Sequence, residues 1–277
     1  MKNPLIKLIS LLIVLTVLAM TIITLTLTPK VNLVEEQRKE EVLQEYLLER
    51  YIKRNQDKKL YLTGHFDPVF RNDFAVVPDK YNIGGYKMYL RKETLTAFIK
   101  MAEKAKEDGV SLKIISATRN FVYQKSLWDK KWTGYTLVEG RDLSKSIPDG
   151  LERFKKILEY SAAPTTSRHH WGTDIDINNA NVEYFSTASG MKVYDWLSSN
   201  ARDFGFCQPY NIKNEYRPTG YNEERWHWSY SPLARDFTKE YLKLVKNEDI
   251  KDFQGEEFVK DQNLIQEYVL GINPECL

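Results

Sequence analysis

The stretch "SRHHWGTDIDIN", residues 167–178, changes character half-way along. Its second half alternates, so as a strand it puts Asp174, Asp176 and Asn178 on one face and Ile175 and Ile177 on the other. One face therefore suits an apolar core and the other carries acid. Its first half holds His169 and His170, two of only four histidines in the chain. A polar turn between strands would account for such a pair. The alternative is half of a metal site, because His169 and Asp176 are donors that zinc accepts and Gly172 between them permits a tight turn. A catalytic zinc takes three protein ligands, so the chain must supply another.

Working outward, "RWHWSY" (225–230) alternates in the same way and contains His227, with Glu224 three positions before it. A metal hydrolase needs a carboxylate beside a ligand that is not itself a ligand. That group takes a proton from the attacking water and delivers it to the leaving amine. Glu224 suits the role, with Glu223 as a competitor. No HExxH occurs, which excludes the helical zinc-protease arrangement. Upstream, "VSLKIISAT" (110–118) reads as a strand leading to Arg119 and a helix, "NFVYQKSLWDKKW" (120–132). Further helical patterns cover 91–109, 151–162 and 193–206, and 233–270 also reads as helical. The predicted fold is α+β, a small antiparallel sheet carrying a zinc site with helices packed around it.

The N-terminus adds a different signal. Residues 8–28, "LISLLIVLTVLAMTIITLTLT", contain no charge and as a helix would span about 31 Å, enough for a bilayer core. Lys2 and Lys7 before it leave the N-terminus in the cytoplasm and the rest of the chain outside. A cleaved signal with a site after "VLA" (17–19) is the alternative, although the apolar run continues past it. The charge-rich segment 31–59 has apolar residues near helical spacing and reads as a helical stalk, its apolar positions too irregular to read as a coiled coil, which leaves the oligomeric state open. The expected organisation is a transmembrane signal-anchor (1–30), the stalk (31–59), a catalytic domain (60–245) and a C-terminal helical extension (246–277). Forty basic residues against thirty-eight acidic give +2, which offers nucleic acid no basic face. Cys207 and Cys276 allow one disulfide in an oxidising compartment, and CxxC metal spacing is absent.

Three blocks together carry a resemblance. Ser167, His169, Gly172 and Asp176 form S-x-H-x-x-G-x-x-x-D; Glu224, Trp226 and His227 form E-x-W-H; and Ser116, Arg119 and Gln124 form S-x-x-R-[SN]-x-x-x-Q. In this order, over roughly residues 85–230, they resemble the VanY-type D-alanyl-D-alanine carboxypeptidases, of the zinc-peptidase group that includes lysostaphin-type enzymes and the hedgehog signalling domain. The resemblance implies that His169, Asp176 and His227 bind one Zn²⁺ per chain and that Glu224 is general base and then acid. It also implies that Arg119, aided by Gln124 and Ser167, contacts the substrate's peptide carbonyl or terminal carboxylate. Arg is chemically suited to that work, offering a planar pair of donors. Two positions depart from the family: Asp174 stands where Ala is common and Thr118 where Tyr is common. The expected activity is removal of the C-terminal D-amino acid from peptidoglycan stem peptides by a membrane-anchored enzyme outside the cytoplasm. An L,D-carboxypeptidase or endopeptidase would use the same metal chemistry, and a non-catalytic cell-wall binding protein could keep the fold without needing Glu224.

Overall fold

Alternation in residues 174–177 is realised as a strand, and its register assembles much of the molecule's polar interior. The computed structural model describes residues 4–25 and 33–277. The chain divides into two units, Met1–Arg54 and Asn55–Leu277. The first holds helix α1 (Pro4–Leu25) and most of helix α2 (Leu33–Leu62). In α1 the side chains of residues 8–20 are exposed and none is charged. Among the described residues no helix is long and apolar enough to cross a membrane. The side chains described in α1 are those of residues 8–21, about 21 Å of helix against a hydrocarbon core of about 30 Å. Residues 1–3 and 26–30 of the expected anchor, and residues 31–32 of the expected stalk, lie outside the described residues.

The second unit is α+β. A two-stranded antiparallel ribbon pairs β1 (Phe74–Val76) with β2 (Tyr89–Arg91). The main sheet contains β3 (Ile114–Ser116), β4 (Asp174–Ile177), β5 (Phe206–Cys207) and β6 (His227–Tyr230), in spatial order β3-β4-β6-β5, every pair antiparallel. The register sets Ser116 opposite Asp176 and Asp176 opposite His227, with Asp174 opposite Ser229 in an adjoining row. Directly opposed side chains have Cβ atoms about 5 Å apart, so this pairing brings distant sequence blocks into contact. On the opposite face, Ile114, Ile175, Ile177, Trp226 and Trp228 enter a core completed by helices α3 (Lys92–Glu107) and α7 (Ala188–Asn200). Helix α3 buries Leu95, Phe98, Met101 and Ala102 on one side, as the apolar spacing predicts.

A second core joins α4 (Phe121–Trp132), α5 (Leu143–Ser146) and α6 (Gly150–Leu158), through Trp128, Leu143, Phe154 and Ile157, to Ile250, Phe253, Val259 and Ile272 near the C-terminus. A third packs Tyr61 and Leu62 of α2 and Trp171 against Ala234, Phe237 and Tyr241 of α8 (Ser231–Leu244). The helical reading of 233–270 is corrected beyond Leu244. There the chain makes short 3-10 turns and one π turn, Ile265–Val269. Its apolar residues fill irregular gaps in the second core, which no single helical stripe could reach. Cys207 and Cys276 are disulfide-bonded, tying this segment to the sheet edge at β5.

Candidate metal centre and its cleft

Three elements converge. His169 sits in the 3-10 turn Arg168–Trp171, Asp176 in β4 and His227 in β6, and one donor atom from each lies within 4.8 Å of the others. Gly172 makes the turn from His169 into β4. Its φ is +74°, and a Cβ there would lie 2.5 Å from the Phe74 ring, so glycine is required both for conformation and for space.

The hydrogen bonds assign the imidazole nitrogens. His169 Nδ1 is 2.8 Å from the Ala117 carbonyl, which can only accept, so Nδ1 donates and the Nε2 lone pair faces Asp176 Oδ1 at 3.4 Å. Both His169 Nε2 and Asp176 Oδ1 are buried without a hydrogen-bond partner. His227 Nε2 lies 2.9 Å from Asp174 Oδ2, leaving Nδ1 directed to Asp176 Oδ1 at 3.2 Å and to Glu224 Oε2 at 3.4 Å. Orphaned buried acceptors carry a desolvation penalty that a cation between them would remove. His169, Asp176 and His227 therefore fit a divalent metal, and an N, O, N donor set suits zinc.

The buried groups of the cluster shift one another's protonation. Burial, reinforced by the Arg119 guanidinium, holds His169 below the usual histidine range, hence neutral. Burial would raise Asp176, but His169 and Arg119 outweigh it and keep the carboxyl well below its ordinary value. Burial raises Glu224, although its contact with His227 opposes the shift. His227 would be lowered by burial, yet Asp174, Asp176 and Glu224 surround it and draw it well upward.

Arg119 follows β3 directly and is held in place by its neighbours. Its Nε donates to Ser116 Oγ at 2.9 Å, Nη1 reaches Gln124 Oε1 at 3.4 Å, and Nη2 forms an ion pair with Asp176 Oδ2. Gln124, on α4, is fixed in turn by donating to the Ala162 carbonyl at 2.8 Å. Ser167 is buried at the start of the histidine turn. All these groups line one cleft of about 1010 Å³. Glu223 points elsewhere, pairing with Arg225 at 3.1 Å and accepting from Tyr194.

The sequence model of the VanY family, described as D-alanyl-D-alanine carboxypeptidase, matches residues 87–233, just over half of the chain. The chain belongs to the VanY family. It is 28% identical over 203 residues to "Putative carboxypeptidase YodJ" of Bacillus subtilis, covering 70% of this chain and 63% of that protein. It is 31% identical over 80 residues to an uncharacterized protein of Haemophilus influenzae, covering 24% of this chain and 60% of that protein. The alignments thus span under two thirds of either relative's length. Among solved structures, the LdcB LD-carboxypeptidase aligns with a TM-score of 0.45 at 26% identity, covering 66% of this chain and 81% of that one. A zinc complex of the vancomycin-resistance D,D-pentapeptidase VanY aligns with a TM-score of 0.43 at 23% identity, covering 66% of this chain and 93% of that one.

Against the VanY pattern, the two departures have definite surroundings. Thr118 donates its hydroxyl to the Tyr89 carbonyl at 2.5 Å. Asp174 is fully buried and accepts from Thr173 Oγ1, Ser229 Oγ, Arg168 Nε and His227 Nε2, at 2.7, 2.8, 3.1 and 2.9 Å respectively. Burial would raise its pKa, but Arg168 and His227 drive it far below the carboxylate range. Arg168 is equally buried, donates to Ser229 and Thr238, and lies 4.7 Å over the Trp171 ring. Asp174 and Arg168 thus set the tautomer and angle of His227 from behind. The alternation of residues 174–177 already places Asp174 on the face of Asp176, whereas the only sign of Arg168 in the sequence is its position beside His169. His170 is buried, and its Nδ1 donates to the Arg119 carbonyl at 2.6 Å, which positions the arginine. The remaining histidine, His65, stacks on Phe121 and is not part of the cluster.

Proposed function

We propose that this chain is a zinc-dependent D-alanyl-D-alanine carboxypeptidase that removes the C-terminal D-amino acid of peptidoglycan stem peptides. Membership of the VanY family supports the reaction class. One observation carries the metal-dependent reading: His169 Nε2 and Asp176 Oδ1 are buried, unpartnered and aimed at the same point as His227 Nδ1, with Glu224 beside them.

When bound by His169, Asp176 and His227, zinc would supply Lewis acidity, polarising a carbonyl and making water more acidic. Glu224 is placed to accept a proton from the attacking water. Its raised pKa suits returning that proton to the nitrogen of the leaving amino acid. Arg119 holds Asp176 with Nη2, while Nη1, at a loose 3.4 Å from Gln124, is available to the substrate carbonyl as it gains negative charge. The reading further places the catalytic unit outside the cytoplasm, tethered to the membrane by the apolar segment 8–28. The uncharged, exposed surface of residues 8–20 and the Cys207–Cys276 bond support that location.

The test compares wild type with Glu224→Gln on a stem pentapeptide and tetrapeptide, alongside metal analysis. Wild type should hold one zinc and release D-alanine from the pentapeptide. Glu224→Gln should keep the zinc and lose about 10²–10⁴-fold in kcat. Release from the tetrapeptide alone would reassign the enzyme as an L,D-carboxypeptidase. Zinc binding with no cleavage of either peptide would overturn the carboxypeptidase reading.

A further inference from the structure

Helix α4 presents Gln124, Leu127 and Lys131 to the cleft, at the i, i+3 and i+7 spacing of one helix face. Gln124 belongs to the constellation already described, but Lys131 does not. Its Nζ donates to Ser161 Oγ, and among the described residues no carboxylate forms an ion pair with it. Most cations near the cleft are otherwise committed. Arg119 is paired with Asp176, and Lys156 with Glu139 and Glu159. Burial and repulsion from Arg119 lower the Lys131 ammonium to about 8, with only a partial offset from Glu224. A half-buried ammonium without a counter-ion is costly to keep, and such a group beside a reaction centre is suited to an anionic ligand. The alternative is that the aliphatic stem merely packs on the cleft wall and the charged end seeks solvent. The bond to Ser161, itself buried, directs the ammonium inward instead.

We propose that Lys131, braced by Ser161, is a substrate-positioning residue that binds a carboxylate of the peptide, a task Arg119 does not fill while paired with Asp176. The inference deepens the carboxypeptidase reading and rests on it for the identity of the ligand. Two carboxylates qualify: the C-terminal one, and a side-chain carboxylate on the third residue of the stem peptide.

Peptide affinity, not turnover, separates the possibilities. The full chain carrying Glu224→Gln is loaded with zinc and titrated calorimetrically with two pentapeptides, identical except that the third residue carries a free carboxylate or its amide. Adding Lys131→Met should weaken binding about 10- to 100-fold, and Lys131→Arg should restore part of the loss. Weakening confined to the acidic peptide assigns the side-chain carboxylate. Equal weakening of both assigns the C-terminal one. Affinities unchanged within about twofold, or absence of binding by either peptide, would overturn the proposal. Lys131-dependent binding together with absence of D-alanine release by wild type would instead preserve the carboxylate site and remove the carboxypeptidase reading.

Discussion

Asp174 shows how far one side chain can act from behind a candidate metal site. It touches no cleft surface, yet it accepts hydrogen bonds from both His227 and Arg168. Asp174→Asn retains the shape but weakens the anchoring of the imidazole, and zinc affinity should fall about 10- to 100-fold in competition with a chromophoric chelator. Unchanged affinity would confine Asp174 to a role in stability. Lys131 gives the opposite case, a residue whose charge opposes folding. Its folded pKa, about 8, lies below the ordinary 10.5, so the folded state disfavours the ammonium. Lys131→Met should therefore raise the urea midpoint at pH 7. The gain is full below about pH 8, declines above it and is gone near 10.5. An equal gain at pH 7 and pH 10.5 would refute this electrostatic account.

At the scale of the element, the turn into β4 governs the site. Gly172 occupies the left-handed region with the Phe74 ring close behind it. Gly172→Ala should cost about 1–3 kcal/mol of stability, through strain and the displaced ring. It should also weaken zinc binding, because His169 lies three residues away on the same turn. Denaturant unfolding with and without zinc measures both; loss of stability with unchanged zinc affinity would uncouple the turn from the metal site. The strands themselves were legible because alternation persists through "TDIDI" and "WHWSY". Their ends were not: β3 spans only Ile114–Ser116 where the pattern suggested 110–118, because the pairing with β4 shifts register there and Asn178 turns out of the strand at φ 60°. Asn178 also spends its side chain on the Lys113 amide and Ser111 carbonyl.

At the scale of the whole molecule, the C-terminal segment is part of the framework of the second unit. Ile250, Phe253 and Val259 complete the core beneath α4, the helix that carries Gln124 and Lys131. The Cys207–Cys276 bond, with a sequence separation of 69, restrains the unfolded chain by about 4 kcal/mol in the loop-entropy account. Reduction should lower the urea midpoint, and Cys207→Ser with Cys276→Ser should reproduce that shift. A variant as stable as the oxidised protein would show that the packed segment alone holds this end of the molecule.

By itself the sequence determined the candidate ligand types and their blocks, the strand alternation that puts Asp174 and Asp176 on one face, and the family. Those properties are local: donor chemistry, a two-residue period and short fixed spacings can be read along a chain. Tertiary structure alone decided that Ser116, Asp176 and His227 face one another across three strands, and that Arg168 and Asp174 back His227. It also decided that Lys131 shares the cleft with Arg119 and that the last thirty or so residues close a core. Sheet register, burial and the dielectric they create depend on contacts between segments from about fifty to well over a hundred residues apart, and no local pattern encodes those distances.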